Sequence, residues 1–164
     1  MDTPRSAYLI PYPSLGEDGW LDHVVLRLFP PLETERGTIK YAQPKRTPPR
    51  LYVPRLNRDA IMDAATPLWI TEGQKKALAL AQSGFAAIGI SGVEGWHVKG
   101  SRTLLPEFSA LSLRGRIIEV VPDGDYETNP DVHRAVCRFA DALREHGAFP
   151  RRVVIPNPVE ESSA

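Results

Sequence analysis

Residues 68–90, LWITEGQKKALALAQSGFAAIGI, decide the architecture. With Pro67 in front, PLWIT (67–71) is a short apolar run that reads as a buried strand. EGQKKALALAQSG (72–84) reads as a helix closed by a glycine at its C-terminal end, and FAAIGI (85–90) as the next strand. A strand, a turn into a helix and a second strand normally place the two strands parallel, joined by a right-handed crossover.

The same grammar continues downstream. Residues 91–108 are mostly loop, and the apolar GRIIEVV (115–121) suits a central strand buried on both faces. A second long helix follows: Asn129 can cap it, Pro130 fits its first position, and Asp131 sits in the positive first turn. Val132, Val136, Phe139 and Leu143 recur at helical spacing, each worth about 1.5–3 kcal/mol if fully buried. Gly147 ends that helix, Cys137 within it reads as an inert structural thiol, and RRVVIP (151–156) is a fourth strand. Residues 61–157 are therefore expected to form an α/β domain, a mostly parallel sheet flanked by helices, and residues 158–164 a tail that frays.

Upstream the composition changes. Nine of the 16 prolines lie in residues 1–54, and proline overall is about twice its usual share of roughly 5%. Strands are predicted over residues 22–30, 37–44 and 50–55, cut short or kept at edges by Pro30, Pro31, Pro44, Pro48, Pro49 and Pro54. A short connecting helix is predicted within residues 55–65. Residues 1–60 thus read as a small, basic, proline-rich β appendage.

The chain has 164 residues with 20 Lys+Arg and 20 Asp+Glu, which excludes a uniformly polycationic binder and an acidic solvating tail. That balance hides segregation. Residues 36–58 hold seven basic side chains and no acidic one, and residues 117–133 hold five acidic side chains and no Lys or Arg. A single cysteine excludes an internal disulfide framework and a cysteine-cluster metal site, and the four histidines show no metal-ligand spacing. No apolar run approaches the roughly 18 residues of a membrane span, and residues 1–13 lack a signal peptide's apolar stretch. A cytoplasmic protein without a membrane partner is expected.

In parallel sheets ligands bind beyond the carboxyl ends of the strands. Glu72 falls at the end of the first predicted strand, and Asp123 and Asp125 just past the third. Alternate residues of an extended chain face the same side, so both aspartates can address one site across Gly124. Two carboxylates about 5 Å apart repel by roughly 3 kcal/mol at an effective dielectric of about 20, a penalty that a divalent cation removes. All-oxygen ligands suit Mg²⁺. Two readings stand for Asp-Gly-Asp, a turn or a cation site. Two also stand for the basic segment: a solvated face, or phosphate contacts with Tyr41 and Tyr52 available for base stacking. SGVEGWH (91–97) reads as a flexible loop near the same sheet edge, with Gly92 and Gly95 permitting close approach and Trp96 open to a packing role.

LWITEGQKKALALAQSGFAAIGISGVEGW (68–96) with GRIIEVVPDGDYETNPDVHRAVCRFADALREHGA (115–148) resembles the Toprim domain shared by primases, topoisomerases and some nucleases. It is most similar to the Toprim-like domain of phage and plasmid replication primases. There the first motif is Thr-Glu-Gly followed by Lys-Lys-Ala, and the second is Asp-x-Asp with a nearby Asn-Pro. The resemblance covers about residues 67–156, and KYAQPKRTPPRLYVPRL (40–56) is similar to the segment that precedes Toprim in those proteins. It implies that Glu72 is the general acid/base of phosphoryl transfer and that Asp123 and Asp125 hold Mg²⁺ (or Mn²⁺). Gly73 is then the glycine that lets the chain turn into the helix, and Lys75 and Lys76 are the basic pair that meets phosphate. Many Toprim domains carry a glycine soon after Asp-x-Asp, where this chain has Tyr126-Glu127-Thr128-Asn129, which favours the replication-type variant.

The expected function is Mg²⁺-dependent nucleotidyl or phosphoryl transfer on nucleic acid, as a primase-type replication module. The alternatives are a Mg²⁺-dependent nuclease using the same acids, and a non-catalytic nucleic-acid or partner-binding module. Lys40, Lys45, Arg46 and Arg50 are the expected nucleic-acid contacts outside the sheet domain. The implied partners are DNA or RNA, nucleotides, and a helicase or larger replication protein, because no zinc ribbon or helicase segment is present. A topoisomerase is disfavoured, since no separate domain is available to carry its catalytic tyrosine.

Overall fold

A computed structural model of the chain describes residues 6–16, 19–35, 37–124 and 126–153. The strands β4 (Leu68–Glu72), β5 (Ala87–Ile90), β6 (Ile117–Val121) and β7 (Phe149–Arg152) form a parallel sheet in the order β5-β4-β6-β7. Helix α2 (Gln74–Gln82) connects β4 to β5, and α3 (Pro130–Glu145) connects β6 to β7. The body is thus α/β, a four-stranded parallel sheet flanked by helices. No helix of the described residues is long and apolar enough to cross a membrane.

Pairing register explains the layers. Ile88, Ile70 and Val120 stand side by side, as do Leu68 and Ile118, so their side chains share one face. They form one core with Val136, Phe139, Ala142 and Leu143 of α3. Trp96 joins that core, stacked on Phe139 with ring centroids 5.2 Å apart, and so packs rather than binds. On the opposite face α2 passes close over Gly89. A Cβ there would lie 2.9 Å from the Gly73 carbonyl oxygen, so only glycine lets the helix approach. At α3 the Asn129 side chain accepts a hydrogen bond from the Asp131 amide, and Pro130 begins the helix. Cys137 lies one position round from the apolar stripe and is exposed, its Sγ 3.8 Å from His133 Nδ1. It is not a buried structural thiol.

One buried cation had no sequence signature. Arg116 precedes β6 and is nearly inaccessible. Its guanidinium donates to the carbonyls of Thr66, Ile61, Leu111 and Ala60 at 2.8–3.1 Å. It ties α1 (Arg58–Met62) and the 3-10 helix Pro106–Leu111 to the start of β6.

Residues before the body form a second sheet, antiparallel, of β1 (Ser6–Pro13), β2 (Trp20–Thr34) and β3 (Gly37–Ala42) in that order. Three expectations need correction. The prolines do not cut β2: it runs through Pro30 and Pro31, where pairing with β3 is broken between Arg27 and Leu32. Toward β3, a missing N–H at those positions costs no ladder bond. Residues 50–55 are not a strand. Tyr52 makes an isolated bridge to Gly89, each amide donating to the other's carbonyl at 2.8 Å, which fastens the segment to the edge strand β5. The last strand is Phe149–Arg152, two residues earlier than expected, because β7 pairs Phe149 with Ile117 at the start of β6. Part of the expected strand and the whole expected tail lie outside the described residues.

The two sheets share a small core of Tyr12, Val25, Tyr52 and Ala77. Tyr12 meets Tyr52 edge-on at 5.3 Å and His23 at 4.5 Å. Leu51 and Val53, either side of Tyr52, belong to the main core instead.

Candidate functional site

The parallel sheet brings Glu72 and Asp123 together. Glu72 ends β4, and Asp123 lies two residues past the end of its neighbour β6. The Asp123 amide donates to Glu72 Oε1 at 3.3 Å. Gly73 turns the chain from β4 into α2 with φ 84° and ψ 153°, a conformation open to glycine. That turn puts Lys75 and Lys76 in the first turn of α2, and Lys76 Nζ is ion-paired with Asp123 Oδ1. Four of the expected residues therefore converge on one sheet end: two acids, two cations. Asp125 lies outside the described residues. Among the described residues no three His, Cys, Asp or Glu side chains group as metal ligands.

These residues line a cleft of about 680 Å³ between the two sheets. Its floor is Glu72–Lys76 with Asp123, one wall is Ser91 and Gly92, and the other is Val25, Tyr41 and Ala42 of the antiparallel sheet with Gln43 just beyond it. Gly92 has φ 74°, and its carbonyl accepts from the Gly95 amide at 2.9 Å. A Cβ on Gly95 would lie 2.4 Å from the Ser91 carbonyl oxygen. Glu94 is ion-paired with Arg138, and its carboxylate lies 3.2 Å from His97 Nε2. The loop expected to be flexible is thus a tight turn tied to α3.

The basic segment divides. Tyr41 faces the cleft, but Lys40, Lys45, Arg46 and Arg50 are not among its lining residues. Lys40 alternates to the other face of β3, Lys45 and Arg46 sit in an exposed turn, and Arg50 is ion-paired with Glu107 at 3.0 Å. Tyr52 is buried in the inter-sheet core and unavailable for stacking, and burial raises its pKa.

Sequence reasoning missed a buried polar group behind the floor. Gln74 Nε2 donates to the Tyr12 hydroxyl at 2.6 Å, and that hydroxyl lies 3.5 Å from Ser91 Oγ. Gln74 and Ser91 line the cleft, whereas Tyr12 is wholly inaccessible. Gln74 had a local signal in its place beside Glu72-Gly73. Tyr12 had none, since its partner is 62 positions away. Beneath Tyr12 lies His23, whose pKa is lowered from the usual histidine value by burial and by the Arg50 guanidinium. Its buried Nε2 has no hydrogen-bond partner among the described residues, so the neutral ring is the form that fits.

Chemically, the arrangement offers oxygen donors and ammonium groups to a phosphate-sized ligand in a cleft with an aromatic wall. Searches of curated proteins and of solved structures gave no match. A family model does match, over residues 59–160, a stretch holding all four parallel strands with Glu72, Lys75, Lys76 and Asp123 but not the antiparallel sheet. On that match the chain belongs to the family described as a domain of unknown function, DUF3854.

Proposed function

We propose that the chain is a Toprim-type module for Mg²⁺-dependent nucleotidyl or phosphoryl transfer on nucleic acid, of the replication-primase kind. The observation that carries this reading is the meeting of Glu72 and Asp123 at adjacent strand ends beside Lys75 and Lys76. The donor set fits a hard divalent cation. It is all oxygen, and Asp123 is a half-exposed carboxylate with an ammonium already against it. Asp123, with Asp125, would hold the ion, which when bound polarises a phosphate oxygen and activates a hydroxyl nucleophile.

The remaining roles belong to the chain itself. Glu72 takes the proton from the attacking hydroxyl and returns it to the leaving oxygen. Lys75 and Lys76 orient the phosphate and offset its charge. Gln74, held by Tyr12, stiffens the start of α2, so the lysines project from a positioned helix end. In this reading the antiparallel sheet is the N-terminal appendage that completes the cleft. The partners are DNA or RNA, nucleotides and a helicase or larger replication protein, in the cytoplasm.

The first test is thermal. Mg²⁺ or Mn²⁺ is expected to raise the melting temperature, and Asp123→Asn with Asp125→Asn to abolish the rise. A rise that survives both substitutions defeats the metal site. The second is chemical. A single-stranded template with nucleotides and Mg²⁺ is expected to give extended products, lost in Glu72→Gln; shortening of a labelled strand instead would identify a nuclease.

A further inference from the structure

The antiparallel sheet has one face in two halves. Near the body it carries Tyr12 and Val25, buried in the inter-sheet core. Away from the body the same face stays open. Tyr8 pairs with Arg27, and Arg27 with Tyr41, so three side chains stand in a row across all three strands. The Arg27 guanidinium carbon lies 5.0 Å from the ring centroids of both Phe29 and Tyr41. Tyr8 meets Phe29 edge-on at 5.3 Å. Tyr8 is 64% exposed and Tyr41 44% exposed, so large ring surfaces face solvent. The rows Ser6–Phe29, Tyr8–Arg27–Tyr41 and Ile10–Val25 carry one positive charge and no carboxylate.

We propose that Tyr8, Arg27, Phe29 and Tyr41 form a stacking platform for unpaired bases of a single-stranded nucleic acid leading into the cleft. The proposal rests on the nucleic-acid reading above and adds the surface on which the strand lies. Two features select the occupant. Arg27, set among rings with no acid on its rows, complements a phosphate backbone, and aromatic faces accept any base by stacking. The platform is also continuous with the cleft, because Tyr41 belongs to both. A duplex hides its base faces in its own stack, so the platform discriminates against it. Arg27 is held in place by donating to the Lys40 carbonyl at 3.1 Å, with its guanidinium carbon over both rings.

The test uses the full chain and a fluorescein-labelled oligothymidylate of about 12 nucleotides, read by anisotropy without Mg²⁺. The single strand is expected to bind at least tenfold more tightly than a duplex of the same length. Tyr8→Ala with Tyr41→Ala is expected to weaken single-strand binding roughly 10-fold or more, whereas Tyr41→Phe, which keeps the ring, retains it. Arg27→Gln, which leaves the rings in place, is expected to weaken binding and lower the salt slope by about one. Equal affinity for duplex, unchanged affinity in the Tyr8/Tyr41 and Arg27 variants, or no binding by the native chain overturns the proposal. So does a native dimer that the Tyr8/Tyr41 variant dissociates, since the face would then be an interface between copies. The Mg²⁺-dependent melting shift tests the underlying reading separately, so either can fail while the other stands.

Discussion

The two sheets are built by opposite rules. In the parallel sheet, strands of four or five residues stand side by side, and β4, β5 and β6 share a main core with α3 while β7 lies at the exposed edge. Each buried position there is set by apolar runs that stay within one element. The antiparallel sheet holds a 15-residue strand, rests one half-face on the body and leaves the rest to solvent. Its position depends on few side chains, chiefly Tyr12, Val25 and Tyr52. The difference separates the parts of the proposed site: the acids at the strand ends and the lysines of α2 belong to the parallel-sheet body, and the aromatic wall belongs to the sheet anchored by fewer side chains.

The sharpest way to break this comparison is Arg116→Met. If the body is held as described, the substitution strands several buried carbonyls. The expected loss is about 3 kcal/mol or more, at roughly 1 kcal/mol for each lost bond. Urea denaturation measures it; a loss under about 1 kcal/mol would show that the body does not rely on this buried cation.

A smaller effect is expected where the sheets join. Tyr12→Phe keeps the ring and its packing but leaves the buried Gln74 amide without its acceptor, which costs about 1–2 kcal/mol. Because Gln74 starts α2, the variant should also weaken the Mg²⁺-dependent melting shift. An unchanged stability would mean that the antiparallel sheet is docked by apolar contact alone.

The smallest effect is a dependence on pH. The His23 pKa in the folded chain is lowered from the value of about 6.5 that it has when unfolded. Between those two values the unfolded chain binds a proton that the folded chain does not, so stability rises with pH there. The contribution is fully present above about pH 6.5 and is lost as the pH falls below it. Melting temperatures taken between about pH 7 and 5 should fall on the acid side, and His23→Phe should flatten that slope. An equal slope in the variant would remove His23 from the account.

What was legible in advance follows the same division. The β–α–β unit around Glu72, the turn at Gly73 and the Asn129-Pro130-Asp131 helix start are all local signals, and each lies where expected. The meeting of Glu72 and Asp123 was legible because parallel strands send their carboxyl ends to one side. Arg50, an expected nucleic-acid contact, is paired with Glu107, and Tyr52, available for stacking in one of the two readings of the basic segment, is buried. Both were read from composition, which says nothing of a partner dozens of positions away.

The sequence by itself determined the parallel sheet, its helices and the strand-end acids, because apolar periodicity, caps and glycines act within a few residues. Only the tertiary structure decided which side chains of the first 55 residues close the cleft. Tyr12 reaches Gln74 and Tyr52 bridges Gly89 because the first 55 residues dock on α2 and β5, and Arg27 lies between Phe29 and Tyr41 because β2 pairs with β3. Those contacts arise from register and docking, which depend on the whole chain rather than on any one stretch of it.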